Sequence, residues 1–176
     1  MHVQTHVLAG WCLGNLFPFT RRERFFCMLA ASLPDLDGLG ILFGQESYWD
    51  FHHILGHNLA AGLVLSLALC AFSTRRIAAF AVYLGLFHLH LLMDSFGSGQ
   101  GWGIPYLWPF WRQSFENPFG WAFYSWQNIV AAFGLVGWSV AIMLTKSRSP
   151  LELPMPSLDR QLVAWFQKLF HRRLKA

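Results

Sequence analysis

The sequence predicts an all-α fold: a multi-pass transmembrane helix bundle with a metal site at one membrane face and a C-terminal amphipathic helix. Three observations carry that expectation. The 176 residues are 55% hydrophobic and 12% charged, whereas soluble domains are about 25% charged. Apolar stretches of helical length recur along the chain. Histidines and aspartates gather where those stretches end.

Length fits one membrane domain, residues 1–149, with 150–176 as a linker and a cytoplasmic amphipathic surface helix. A mean hydropathy of only +0.36 implies polar and aromatic loops at the membrane surface, where the seventeen Phe and nine Trp find a suitable interface. The net charge of +4 comes from basic groups beside apolar runs. It reads as a topology signal and as contact with anionic lipid headgroups, and no basic and aromatic motif for nucleic acid is visible. Cys12, Cys27 and Cys70 lie far apart in apolar segments, as buried free thiols do. The opening "MHVQTHVLAG" lacks a positive n-region and an A-x-A site, which argues against a removable signal peptide.

Five helical segments are expected, at residues 3–17, 24–34, 57–73, 76–95 and 122–145. The last three approach the ~20 residues that cross a bilayer, and the first two are short. Regions 35–56 and 96–121, rich in Gly, Pro, Trp and Tyr, read as irregular. Beyond Pro150, Leu162, Trp165, Phe166, Leu169 and Phe170 recur at helical spacing against Arg160, Lys168, Arg172, Arg173 and Lys175. That pattern predicts a helix lying on the membrane.

Arg21, Arg22 and Arg24, then Arg75 and Arg76, then Lys146 and Arg148 flank the apolar segments. Placing every basic cluster in the cytoplasm sends segments 1, 3 and 5 inward and segments 2 and 4 outward. His6, Asp35, Asp37, His52, His53, His57, His90 and Asp94 then collect on the outer side. At ~1.5 Å per residue, His6 lies roughly 22 Å from Arg21, and His57 roughly 27 Å from Arg75. Asp35, roughly 16 Å from Arg24, is expected to lie deeper unless its segment tilts. Ionised carboxylates near lipid are costly unless they are paired, hydrated or bound to a cation. Imidazoles with carboxylates form a ligand set for Zn²⁺ and, with more oxygen, for Mn²⁺ or Fe²⁺.

Each motif contributes separately. In "HLLMD", His90 and Asp94 stand one helical turn apart on one face, while His88 points elsewhere. "SLPDLDGLG" offers Asp35 and Asp37 after a helix-ending proline. "FHHILGHN" offers His52 and His57 as a ligand pair, with His53 behind them or facing substrate. His6 joins by its depth. In "FGSGQGWGIPYLWPFWR", tryptophans suit an interface and Arg112 a phosphate clamp, and Glu46, Asp50 and Glu116 are further acids of the outer layer.

In this order, T-His6, L-P-Asp35-L-Asp37, His52-H-I-L-G-His57-N, His90-L-L-M-Asp94-S and "GIPYLWPFW" resemble a bacterial family of inner-membrane proteins. That family is described by inference as metal-dependent hydrolases and includes a LexA-regulated, DNA-damage-induced member. The similarity runs over about residues 1–112. It implies a multi-pass protein and a hydrolytic metal site held by His6, Asp35, Asp37, His52, His57, His90 and Asp94. The family often has Arg after the first histidine of H-x4-H, where this chain has His53, so His53 or Arg112 is expected to take a phosphate-binding part.

These readings converge on the bacterial cytoplasmic (inner) membrane with the site facing outward. Seven ligands suit two divalent ions, Zn²⁺ favoured, activating a hydroxide, with Asp37, His53 and Arg112 in catalytic roles. The expected reaction is hydrolysis of a phosphoester in a lipid or lipid-linked substrate. Cleavage of an acyl, amide or peptide bond, or metal binding without catalysis, are the alternatives.

Overall fold

The computed structural model describes residues 1–173, with side chains through Phe170. In chain order they form α1 (Val3–Gly14), α2 (Arg21–Ser32), a 3₁₀ stretch (Leu33–Phe43), α3 (Gln45–Phe51), α4 (Leu59–Ala71), α5 (Arg76–Gly97), α6 (Trp126–Lys146) and α7 (Pro156–Arg173). No strand forms among the described residues; one antiparallel bridge, Ile104 with Phe115, ties the long loop before α6. Three helical stretches are long and apolar enough to cross a membrane: Arg21–Phe43, Arg76–Gly97 and Trp126–Lys146.

Where the elements differ from expectation, local chemistry gives the reason. Segment 2 starts at Arg21, not 24, because Thr20 and Glu23 form a capping box. The Thr20 amide donates to the Glu23 carboxylate at 2.8 Å, satisfying donors that a helix start leaves open. Counted from Arg21, Asp35 lies about 21 Å along the chain, level with the other site residues. The α-helix does stop before Pro34, but the region expected to be irregular holds the 3₁₀ stretch and α3. Segment 3 contracts from 57–73 to the 13 residues of α4, because residues 52–58 are turns and Asn58 Oδ1 caps the helix through the Ala61 amide at 2.9 Å.

Glycine sets the closest helix contacts. A Cβ on Gly10 would lie 2.4 Å from the Cys27 carbonyl oxygen, and one on Gly14 2.9 Å from Cys27 Sγ, so α1 and α2 meet backbone to backbone as small-xxx-small faces do. Cys27, Ala30 and Ala31 of α2 then pack on Ala79, Tyr83 and Leu86 of α5. Trp11, Cys12 and Met28 join Ile142 of α6. The outer faces of α4 and α6 stay apolar and exposed, with Leu63, Val64, Leu67, Ile129, Val130 and Phe133, as contact with lipid requires. All three cysteines are free. Helix α7 lies against α6, burying Val163 and leaving Trp165 58% exposed. Of its expected basic face, Arg160 and Lys168 are exposed; the side chains of Arg172 and Arg173, and Lys175, lie outside the described residues.

Candidate metal centre

Four chain elements deliver the histidines and aspartates to one end of the bundle. His6 comes from the first turns of α1, Asp35 and Asp37 from the 3₁₀ stretch, His52, His53 and His57 from the turn before α4, and His90 and Asp94 from the last turns of α5. His6 Nε2 lies 3.0 Å from Asp94 Oδ1. His90 Nε2 lies 3.1 Å from Asp94 Oδ2, the i,i+4 pairing that the spacing requires. Asp35 Oδ1 approaches His90 Nε2 at 3.7 Å and His57 Nε2 at 3.9 Å. Two sets of donor atoms lie within 4.8 Å of one another: His6, Asp35, His90 and Asp94, and His53, His57 and Asp94. Asp94 belongs to both.

The backs of the rings explain why their fronts converge. His90 Nδ1 faces the Ala31 carbonyl at 2.8 Å; a carbonyl only accepts, so Nδ1 carries the proton and Nε2 keeps its lone pair. Asp37 holds two more rings from behind. Its Oδ1 meets His52 Nδ1 at 2.7 Å, and its Oδ2 meets His57 Nδ1 at 2.9 Å and the Gly56 amide at 3.0 Å. Asp37 and His52 fall in neither donor set; Asp37 stands behind the rings as the carboxylate that orients metal histidines. Glu46 and Asp50, acids that suit that part by sequence, are exposed. His57 Nε2 and His90 Nε2 end 3.1 Å apart, a contact in which two lone pairs face each other unless a proton or a cation lies within reach.

Unpartnered atoms point to the same chemistry. His6 Nδ1, Asp35 Oδ2 and His53 Nδ1 are buried without a hydrogen-bond partner, and buried polar groups normally find one. His53 holds a left-handed backbone, φ 65°, uncommon for a residue with a side chain. Its ring stacks on His57, centroids 4.2 Å apart. Burial, with His57 alongside, pushes its pKa down to about 3, so the ring is neutral. Gly56 makes the turn possible, because a Cβ there would lie 2.2 Å from the Pro34 carbonyl oxygen.

A cavity of about 310 Å³ opens onto Asp35, His52, His53 and Asp94. Tyr48, stacked on His52 at 4.7 Å, and Trp102, 5.2 Å from His53, form its aromatic wall. The Met1 amino group bonds the Asp94 carboxylate and reaches Ser98 Oγ at 2.9 Å. A family model described as YdjM inner membrane protein matches residues 1–158. The chain belongs to that family. No curated protein and no solved structure matches the chain.

In this YdjM-family protein the remaining residues singled out by sequence lie apart from the donor sets. His88 turns away, bonding the Leu84 carbonyl and Tyr106 Oη, each at 2.8 Å. Arg112 is exposed and lines neither cavity beside the histidines. Glu116 lines the second of them with His52 and His53. Tyr48, Trp49 and Ser98 are parts of the site that no motif marked. Their only sequence trace is the aromatic and glycine density of the two loops.

Proposed function

We propose that this chain is a membrane-embedded metal-dependent hydrolase cleaving a phosphoester of a lipid or lipid-linked substrate. One observation carries the proposal: imidazole nitrogens, aimed inward by acceptors behind the rings, converge with buried Asp94 and half-buried Asp35 at the floor of an aromatic-walled cavity. The donor set fits divalent ions. His6, Asp35 and His90 would hold one and His53 and His57 a second, with Asp94 common to both; nitrogen and oxygen donors of this kind suit Zn²⁺ first and Mn²⁺ or Fe²⁺ next. Bound there, the ions supply Lewis acidity at a phosphoryl oxygen and a water acidified to near neutral pH.

The chain's own residues do the positioning. Asp37 holds His52 and His57 in one tautomer and orientation. His52, with one ring face on Tyr48, keeps Nε2 free to accept a proton at the cavity wall and, once protonated, to donate to a phosphoryl oxygen. Trp102 against Trp49 narrows access for bulk water. We further place the chain as a multi-pass protein of the bacterial inner membrane with the cavity on the outer side. Residues 150–176 then form a cytoplasmic linker and surface helix whose basic face meets anionic headgroups, because the basic clusters gather at the opposite end of the bundle.

Metal analysis of detergent-purified protein tests this, combined with a panel of lipid phosphates, carboxylic esters and amides. Wild type is expected to carry divalent metal in stoichiometric amount and to release phosphate. Asp94→Ala is expected to insert normally yet lose both. Phosphatase activity undiminished in Asp94→Ala, or wild-type protein without bound metal, overturns the proposal; cleavage of the esters or amides alone assigns the centre to that chemistry instead.

A further inference from the structure

Beside the polar cavity lies a second concavity that the chemistry above does not use. It is about 430 Å³, almost wholly apolar, and runs between the end of α5 and the start of α6, lined by Leu92, Met93, Phe96, Trp121 and Val130 among others. Its volume is in the usual range for ligand sites. Met1 lines both this groove and the polar cavity. The wall between them is residues 121–126, which present Trp121 and Trp126 to the groove and Phe123 and Tyr124 to the cavity.

We infer that this groove seats the hydrocarbon tail of the substrate whose phosphoryl head enters the donor cluster. The inference rests on the phosphoesterase reading and names the part of the substrate outside the reacting centre. The groove is built, not a gap of loose packing. Buried Asn128 donates to the Gly97 and Phe123 carbonyls, each at 2.8 Å, and accepts from Trp121 Nε1 at 2.8 Å, locking α6 to the end of α5. Gly97 permits that approach, since a Cβ would lie 2.6 Å from Asn128 Oδ1. Gln127 Oε1 is buried at the groove without a partner, suited to accept a bond from a hydroxyl near the head. A comparable apolar groove at Leu91, Ile104, Tyr106 and Phe115 shares no lining residue with the polar cavity, so a tail there would have no direct passage to the head.

The test is photolabelling of the full chain in nanodiscs with a long-chain alkylphosphonate, which resists hydrolysis, carrying a diazirine at the tail end. Acyl-like straight tails and isoprenoid tails are run separately to tell the two sources apart. Label is expected on Met93, Phe96 or Val130, which line this groove and not the other, reduced by metal chelation. Ala131→Trp fills the groove, and overpacking of that kind is expected to cut labelling about tenfold, while metal content stays unchanged. Chelator-sensitive label at Tyr106 or Phe115 overturns the groove assignment and leaves the metal reading standing. Label in the groove that ignores chelation, or no label sensitive to it anywhere, severs the groove from the metal centre.

Discussion

Both ends of the bundle bury acidic side chains, and they neutralise them in opposite ways. At the basic end, Glu23 accepts from the Thr20 amide, from the Thr74 amide at 2.9 Å and from Thr74 Oγ1 at 2.7 Å. Glu152 takes both oxygens to Arg24, with Nε at 2.6 Å, and also accepts from Trp11 Nε1 at 3.2 Å. Those donors carry fixed protons, so both carboxylates are saturated without any foreign atom. At the other end, Asp94 accepts from the Met1 amino group and meets His6, His57 and His90, while Asp35 comes no closer than 3.7 Å to a histidine nitrogen and keeps Oδ2 unpartnered. The first set is held by donors that carry fixed protons; the second gathers imidazoles and carboxylates around one point, a set able to hold a cation. Polar burial alone therefore marks no function; the convergence of ligand atoms is what motivates the metal proposal.

The contrast can be broken at each end in turn. Arg24→Met leaves Glu152 buried without its partner and is expected to cost about 3–5 kcal/mol, read as a lower thermal midpoint in detergent, with bound metal unchanged. A fall in metal content with no loss of stability would erase the distinction between the ends. Asp37→Asn frees two rings to turn and is expected to weaken metal binding about 10–100-fold in a competition titration against a chelator, with little change in the midpoint. Smallest is Thr20→Ala, which removes the cap of α2 and is expected to cost about 1 kcal/mol in the same melt while leaving metal affinity untouched.

Much of the histidine end was legible in the chain because its cues are local and periodic. The four-residue spacing of His90 and Asp94, the density of "FHHILGHN", and the run of apolar residues between basic clusters and histidines each map onto helix geometry. The supporting layer was not legible. Asp37 reads like Asp35 in a D-x-D turn, and only the path of the 3₁₀ stretch turns one toward His90 and the other behind His52 and His57. Trp102 meets His53 across about fifty residues of chain, a distance over which periodicity carries no signal. The T-R-R-E cap of α2 was present in the sequence, but its polar residues look like loop until Glu23 is seen folded back on Thr20.

Helices α1 and α4 have 12 and 13 residues, about 18 and 20 Å of rise, while α5 and α6 have 22 and 21, about 33 and 32 Å. In a bilayer with ~30 Å of hydrocarbon, α1, packed on α2 and α6, and α4, packed on α5, are each too short to reach from face to face. Lipid beside a helix that short thins to match it, at a modest cost per ångström of mismatch. His6 opens α1 and His57 precedes α4, so the lipid phosphoester proposed above would meet them where the membrane is thinned, with its tail still among other tails.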